Sequence, residues 1–240
     1  AKVNIERKGD KAIIEILETI QLDYVIYSSV QADPPEHIVL DAVQFAKNEK
    51  ADIVLGFGGG SSLDVAKVIA ILVHPQQQQT LSDLYGINNV KQPRLPLFLV
   101  PTTAGTGSEV TPISIVTTGK TTKTGIVSPV LFADVAILDA TFTQNLPAHI
   151  TAATGIDAMV HAIEAYTSKI KKNPYADMLA KQALKLLNHN LSLVLADGQN
   201  LAARQNMLVG SMLAGQAFAN APVAAVHALA YPLGGHFHIS

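Results

Sequence analysis

The sequence predicts an α/β domain built on a parallel sheet, followed by an all-helical domain. Three observations carry that prediction. Short apolar runs alternate with amphipathic stretches up to Leu146. Two of those runs end in loops rich in glycine, serine and threonine. From Pro147 onward the apolar spacing is helical and no convincing strand appears.

Taken in order, residues 11–20 read as an amphipathic helix and Tyr24–Tyr27 as a short buried strand. Residues 36–50 are helical, with Ile38, Val39, Ala42, Phe45 and Ala46 on one face. Residues 52–57 form a β-branched run ending in glycines, and 61–73 a second helix. Residues 95–100 and 133–138 are further strands. Continuous apolar strands separated by helices imply a parallel sheet covered on both faces. Residues 76–79, four glutamines, read as a solvated loop. Helices are expected at 150–167, 175–188 and 201–219, and the chain divides into residues 1–146 and 147–240.

The 240 residues are 48% hydrophobic and 15% charged, a balance that suits a buried core and argues against disorder. A formal net charge of -2 gives no reason to expect a nucleic-acid or anionic-membrane partner. No apolar run approaches the roughly 20 residues of a membrane helix. A soluble, cytoplasmic protein is the expectation. Cysteine is absent, so disulfides and thiolate ligands are excluded and any metal must be held by His, Asp or Glu.

Gly58-Gly59-Gly60-Ser61-Ser62-Leu63-Asp64 lies between a buried strand and a helix. Glycines let the backbone approach a phosphate, and the helix N-terminus favours an anion. The GxGxxG pattern is not matched. A plain tight turn with Ser61 or Ser62 as N-cap reads the same residues equally simply. A second loop, Pro101-Thr102-Thr103-Ala104-Gly105-Thr106-Gly107-Ser108-Glu109, follows the strand at 95–100, where α/β sheets place ligands. An ordinary polar loop has a similar composition.

Asp157 and His161 stand at i and i+4, on one face of a helix, and can grip one ion or simply bond to each other. His227 sits in an apolar segment, with His236 and His238 after it. A carboxylate with imidazoles and no sulfur suits Fe(II), Zn(II) or Ni(II), and an open coordination position would polarise a substrate oxygen.

Four ordered motifs, GGGSSLDVAK (58–67), PTTAGTGSEVT (101–111), ATGIDAMVHAIEAY (153–166) and HALAYPLGG (227–235), closely resemble the iron-containing (group III) alcohol dehydrogenase family. The likeness runs from about Tyr24 to Ser240. It implies a Rossmann-like NAD(P)-binding domain followed by an all-α metal-binding domain, the dehydroquinate synthase-like architecture, with the active site in the cleft between them. Carried over by position, Gly58, Gly59, Gly60 and Ser61 match the pyrophosphate loop. Thr102, Thr103 and Thr106 match residues lining the cofactor, and Lys123 a lysine near the nicotinamide ribose. Asp157, His161 and His227 match three of four metal ligands. The chemistry implied is reversible hydride transfer between a small alcohol or aldehyde and NAD or NADP, in a homodimer. A hydroxyacid–oxoacid transhydrogenase and a metal- and NAD-dependent lyase of the same architecture are the alternatives.

The sequence also departs from the family pattern. The fourth ligand, a His before Gly, would fall immediately after Ser240, and His236 and His238 occupy non-ligand positions. Tyr231 stands where the family often has His, and its phenol can hydrogen-bond or pass a proton. The opening strand that reads the ribose, and the helices after the fourth ligand, have no counterpart. A portion of a longer gene product is the expectation.

Overall fold

The computed structural model describes residues 8–119, 122–222 and 226. His227, Tyr231, His236 and His238 lie outside the described residues. Helix α1 (Lys8–Thr19) is followed by α2 (Glu36–Asn48), strand β1 (Val54–Gly58) and α3 (Gly60–Leu72). A single-turn α4 (Leu81–Leu84) and β2 (Gly86–Ile87) lead to β3 (Leu97–Pro101). Then come β4 (Ile113–Thr118), β5 (Thr122–Val127) and β6 (Val135–Ala136). Three long helices, α5 (Ala148–Thr167), α6 (Pro174–Ala196) and α7 (Leu201–Asn220), complete the described chain.

Strands β1, β3 and β6 form a parallel sheet in the order β1-β3-β6. Helix α3 seals one face, where Leu63, Ala66 and Ala70 pack on Val54, Leu97 and Leu99. The other face departs from the expectation of full cover. Leu55 pairs with Phe98 and Phe98 with Val135, and Leu55 and Val135 remain 40% and 42% exposed. Among the described residues no helix lies on that face as α3 lies on the first; Phe142 reaches it edge-on at Phe57, with ring centroids 5.0 Å apart.

Tyr24–Tyr27 is not a strand. A β-branched run becomes a strand only where a neighbour takes its N–H and C=O groups, and none is bonded to it among the described residues. Tyr27 instead packs its ring on Phe45, 5.7 Å away, beside the apolar face of α2. The glutamine run is a solvated loop, with Gln76 and Gln78 exposed, that is also tied down: Gln79 accepts from Lys91 N–H at 2.7 Å and donates to Asn89 O at 2.9 Å.

A second sheet, order β2-β5-β4, was not foreseen. Its antiparallel pair β4–β5 runs from Ile113↔Val127 to Thr118↔Thr122. Val116 and Ile126 join α2 and α3 in a shared core with Val39, Val43, Val68 and Ile71.

The helical half has its own core, rich in alanine: Ala158, Ala162, Ala165, Ala180, Ala183, Ala214 and Ala217 pack with Leu187, Met207 and Leu208. Small side chains let the three helices approach closely. Arg204, 4% exposed, holds the α6–α7 turn through Nε to Gly198 O at 2.6 Å and ties α7 to the segment before α5 through Nη2 to Leu146 O at 3.4 Å. The two halves also touch through glycines. Gly107 is left-handed (φ 59), and a Cβ built on Gly215 of α7 would stand 2.9 Å from both Gly107 Cα and Gly107 O. Gly215→Ala therefore forces the loop after β3 off α7. It should destabilise the protein by about 1–3 kcal/mol in urea unfolding, and an unchanged midpoint would show that the two backbones do not meet this closely.

Candidate functional site

Helix α3 starts directly after β1, with Gly59 as an extended N-cap (φ -76, ψ -179) and no side chain capping it. The serine cap of the plain-turn alternative is not made. A cap must precede the helix in extended conformation, and glycine fills that slot, placing Ser61 and Ser62 inside the first turn. The first N–H groups of a helix have no intrahelical acceptor, so an uncapped 13-residue helix presents amide donors and the positive end of its dipole.

The loop after β3 lies alongside. Thr102 N–H donates to Gly58 O at 2.9 Å, and a Cβ on Gly60 would meet Thr106 Cγ2 at 2.6 Å. Gly59 faces Thr103 at 3.5 Å by the same measure. The structure thus brings Gly58, Gly59, Gly60, Ser61, Thr102, Thr103 and Thr106 together, with the three threonines half-buried. A cradle that a single methyl group would fill, over an uncapped helix, fits a pyrophosphate. Lys123, on β5 of the hairpin, is linked to the glycine loop through Asp33, whose N–H donates to Ser61 Oγ at 3.3 Å. The Lys123 ammonium pairs with Asp33 and donates to Thr117 Oγ1 at 3.3 Å.

Beneath the two loops is a polar cluster that the sequence reading did not single out. Lys67 is fully buried; its Nζ donates to Ile113 O at 2.7 Å and Ser108 Oγ at 2.8 Å, with Asp64 at 3.6 Å. Asp64 accepts from Ser108 Oγ at 2.6 Å and from Ile115 N–H at 2.9 Å. Burial pushes Asp64 up and Lys67 down, and in each case their mutual attraction opposes it. Two charged residues at i,i+3 in an otherwise apolar helix were the available signal.

Glu109, 4% exposed, is a further buried carboxyl; burial raises it to about 7, opposed by its own backbone N–H and by Lys67. It borders a groove of about 310 Å³ between the two halves, beside Phe132, Tyr175, Gln216 and Asn220.

On α5, Asp157 is half-buried and His161 is 7% exposed, its ring stacked on Phe218 with centroids 5.1 Å apart. Glu164 follows on the same face and accepts from Val226 N–H at 2.8 Å. Among the described residues no three His, Asp or Glu side chains gather as a metal site. The described donors are therefore the helical pair, with His227 outside the described residues. A carboxylate and an imidazole on adjacent turns fit a divalent ion that takes oxygen and nitrogen.

An uncapped, glycine-rich helix start on an α/β half, set against a helical half that carries an Asp/His pair, marks a nucleotide-binding, metal-binding class of protein. The chain belongs to the iron-containing alcohol dehydrogenase family. Its residues 5–140 match the model "Iron-containing alcohol dehydrogenase", and residues 151–240 the model of that family's C-terminal part. Long-chain-alcohol dehydrogenase 1 of Geobacillus thermodenitrificans is 48% identical over 216 residues, 90% of this chain and 54% of the relative. A crystal structure of 1,3-propanediol oxidoreductase superposes with a TM-score of 0.93 at 37% identity, over 98% of this chain and 61% of that one. Sulfoacetaldehyde reductase from Bifidobacterium kashiwanohense, solved with NAD+, gives 0.84 at 32% identity, over 95% and 62%. The chain spans between half and two thirds of the length of these proteins.

Glu109 predicts a pH dependence. Its folded value near 7 lies above the ordinary 4.5, so the folded chain holds a proton that the unfolded chain has released. Its contribution to stability falls as pH rises from about 4.5 to about 7 and is level above that, by at most about 3 kcal/mol. Glu109→Gln should be more stable than the wild type at pH 8, with the difference shrinking towards pH 5, in urea midpoints. An equal difference at both pH values would contradict this.

Proposed function

We propose that the protein is a metal-dependent dehydrogenase that passes hydride reversibly between a small alcohol and the nicotinamide of NAD or NADP, giving an aldehyde or ketone. One contact carries the reading. A Cβ on Gly105, in the threonine loop, would stand 2.8 Å from Thr154 Cβ on α5. Thr154 lies one turn before Asp157, on the same side of the helix. The loop beside the glycine cradle therefore rests on the stretch of helix that carries the metal-ligand pair, and the two chemistries share one cleft. Family membership and the NAD+ held by a structural neighbour support the same reading.

In this reading residues 1–146 bind the nucleotide and residues 147–240 the metal. Gly58, Gly59, Gly60 and Ser61 hold the pyrophosphate at the start of α3. Thr102, Thr103 and Thr106 wall the cofactor, and Lys123 approaches the ribose. Asp157, His161 and His227 hold the ion, Fe(II) in preference and Zn(II) or Ni(II) as substitutes, while Tyr231 hydrogen-bonds the substrate or passes its proton. When bound, the ion lends Lewis acidity at the substrate oxygen and the nicotinamide accepts hydride. The α5 surface and the loop after β3 position the reactants and exclude water. A cytoplasmic homodimer is proposed with it. Among the described residues no helix is long and apolar enough to cross a membrane.

Anaerobic loading of the full-length protein with Fe(II) or Zn(II), with metal counted and NAD(P)+ reduction followed on short alcohols, tests this. The wild type should hold about one ion per chain. Asp157→Ala and His227→Ala should lose metal affinity by at least about 100-fold, since even residues behind the ligands account for 10–100-fold, and activity should fall with it. Turnover without free cofactor would favour the transhydrogenase, and a wild type that holds no ion would defeat the proposal.

A further inference from the structure

Asp33 sits outside every motif in the sequence, yet three cofactor-side elements converge on it. Its backbone is left-handed (φ 53), a conformation that non-glycine residues adopt rarely and that Asp and Asn tolerate best. Asp33 N–H donates to Ser61 Oγ at 3.3 Å, at the glycine loop. Asp33 O accepts from Thr117 Oγ1 at 3.0 Å, and Thr117 N–H donates to the neighbouring Pro34 O at 2.9 Å. The turn is thereby fixed to both α3 and the β4–β5 hairpin through its backbone, without using its carboxylate.

The carboxylate has a different role. It pairs with the ammonium of Lys123, whose side chain is 10% exposed while that of Asp33 is 70% exposed. Ion pairs this open to water contribute roughly 0–1 kcal/mol to stability, so folding alone does not require the charge. What the pair does is fix where a largely buried ammonium points. Lys123 is otherwise held by one long bond to Thr117 Oγ1, at 3.3 Å. A lysine carries four rotatable carbons and no preferred fork, so an unanchored ammonium samples many positions.

We infer that Asp33 is a positioning residue of the cofactor site: its carboxylate holds the Lys123 ammonium where the nucleotide meets it, while its backbone keeps that pair in register with Ser61. The inference rests on the proposed nucleotide site and adds a residue to it. Asp33 acts through Lys123 and does not itself grip the cofactor.

The test is a double-mutant cycle on NADH binding, followed by nicotinamide fluorescence in the full-length protein. Asp33→Asn keeps the left-handed turn and removes the charge. It should weaken NADH binding about 5-fold, the scale of a pairwise coupling between contacting residues, with an unchanged melting temperature. Lys123→Met should weaken binding by more, and the double variant should bind no worse than Lys123→Met. Asp33→Asn binding as tightly as the wild type or tighter, or losses that multiply in the double variant, would overturn the inference. A wild type that binds no NADH would instead bring down the nucleotide site itself, and this inference with it.

Discussion

Lys67 Nζ lies at zero exposure beneath the glycine loop, bonded to Ser108, to Ile113 O and, at 3.4 Å, to Thr111. Removing an ammonium and a carboxylate from water carries a penalty of several kcal/mol for each ion, repaid only where geometry and hydrogen bonding are good. Here the bonds run from α3 to the loop after β3 and to the start of β4. Asp64 meets Ser108 Oγ and Ile115 N–H from the same helix. If either loop moved, a buried charge would lose its partners. The polar cluster therefore sets the spacing between the glycine cradle and the threonine loop more strictly than apolar packing, which tolerates small shifts.

From that fixed pair of loops the rest of the site follows. The threonine loop continues through Gly105 against Thr154 and through Gly107 against Gly215, so the same segment that walls the cradle also seats the helical half. Glycines at these contacts bring backbone against helix with no side chain between. The alanine-rich bundle then holds α5, where His161 stacks on Phe218 of α7, and Arg204 fastens the connecting segment at Leu146 O. Positioning thus passes from a buried ion pair, through a loop, to the helix that carries the Asp157/His161 pair.

Much of this was legible in the sequence because local patterns and local structure agree. The helices α3, α5 and α7 lie within a residue or two of their apolar spacing, and the glycine and threonine loops fall directly after β1 and β3. Other features were not legible. The β4–β5 hairpin is rich in threonine and lacks a strong apolar alternation, so its strands are specified by pairing with each other and by the few side chains that reach a core, Ile113, Val116 and Ile126. Tyr24–Tyr27 has strand composition without a strand neighbour among the described residues. Helix α6 extends to Ala196, past the expected end at Asn188, because Asn190 and Val194 bury against the bundle. At the site, Asp33 carried no motif. Its place is set by contacts 28 and 84 residues away along the chain, and such distances leave no periodic trace.

The most direct test of the central claim is amide hydrogen exchange on Lys67→Met beside the wild type. If the buried ion pair fixes the two loops, protection should fall together at residues 58–64 and 101–115 while α5, α6 and α7 keep theirs, because that bundle has its own core. Unchanged protection in both loops, or a uniform loss across all helices, would contradict the account and leave apolar packing as what holds the site together.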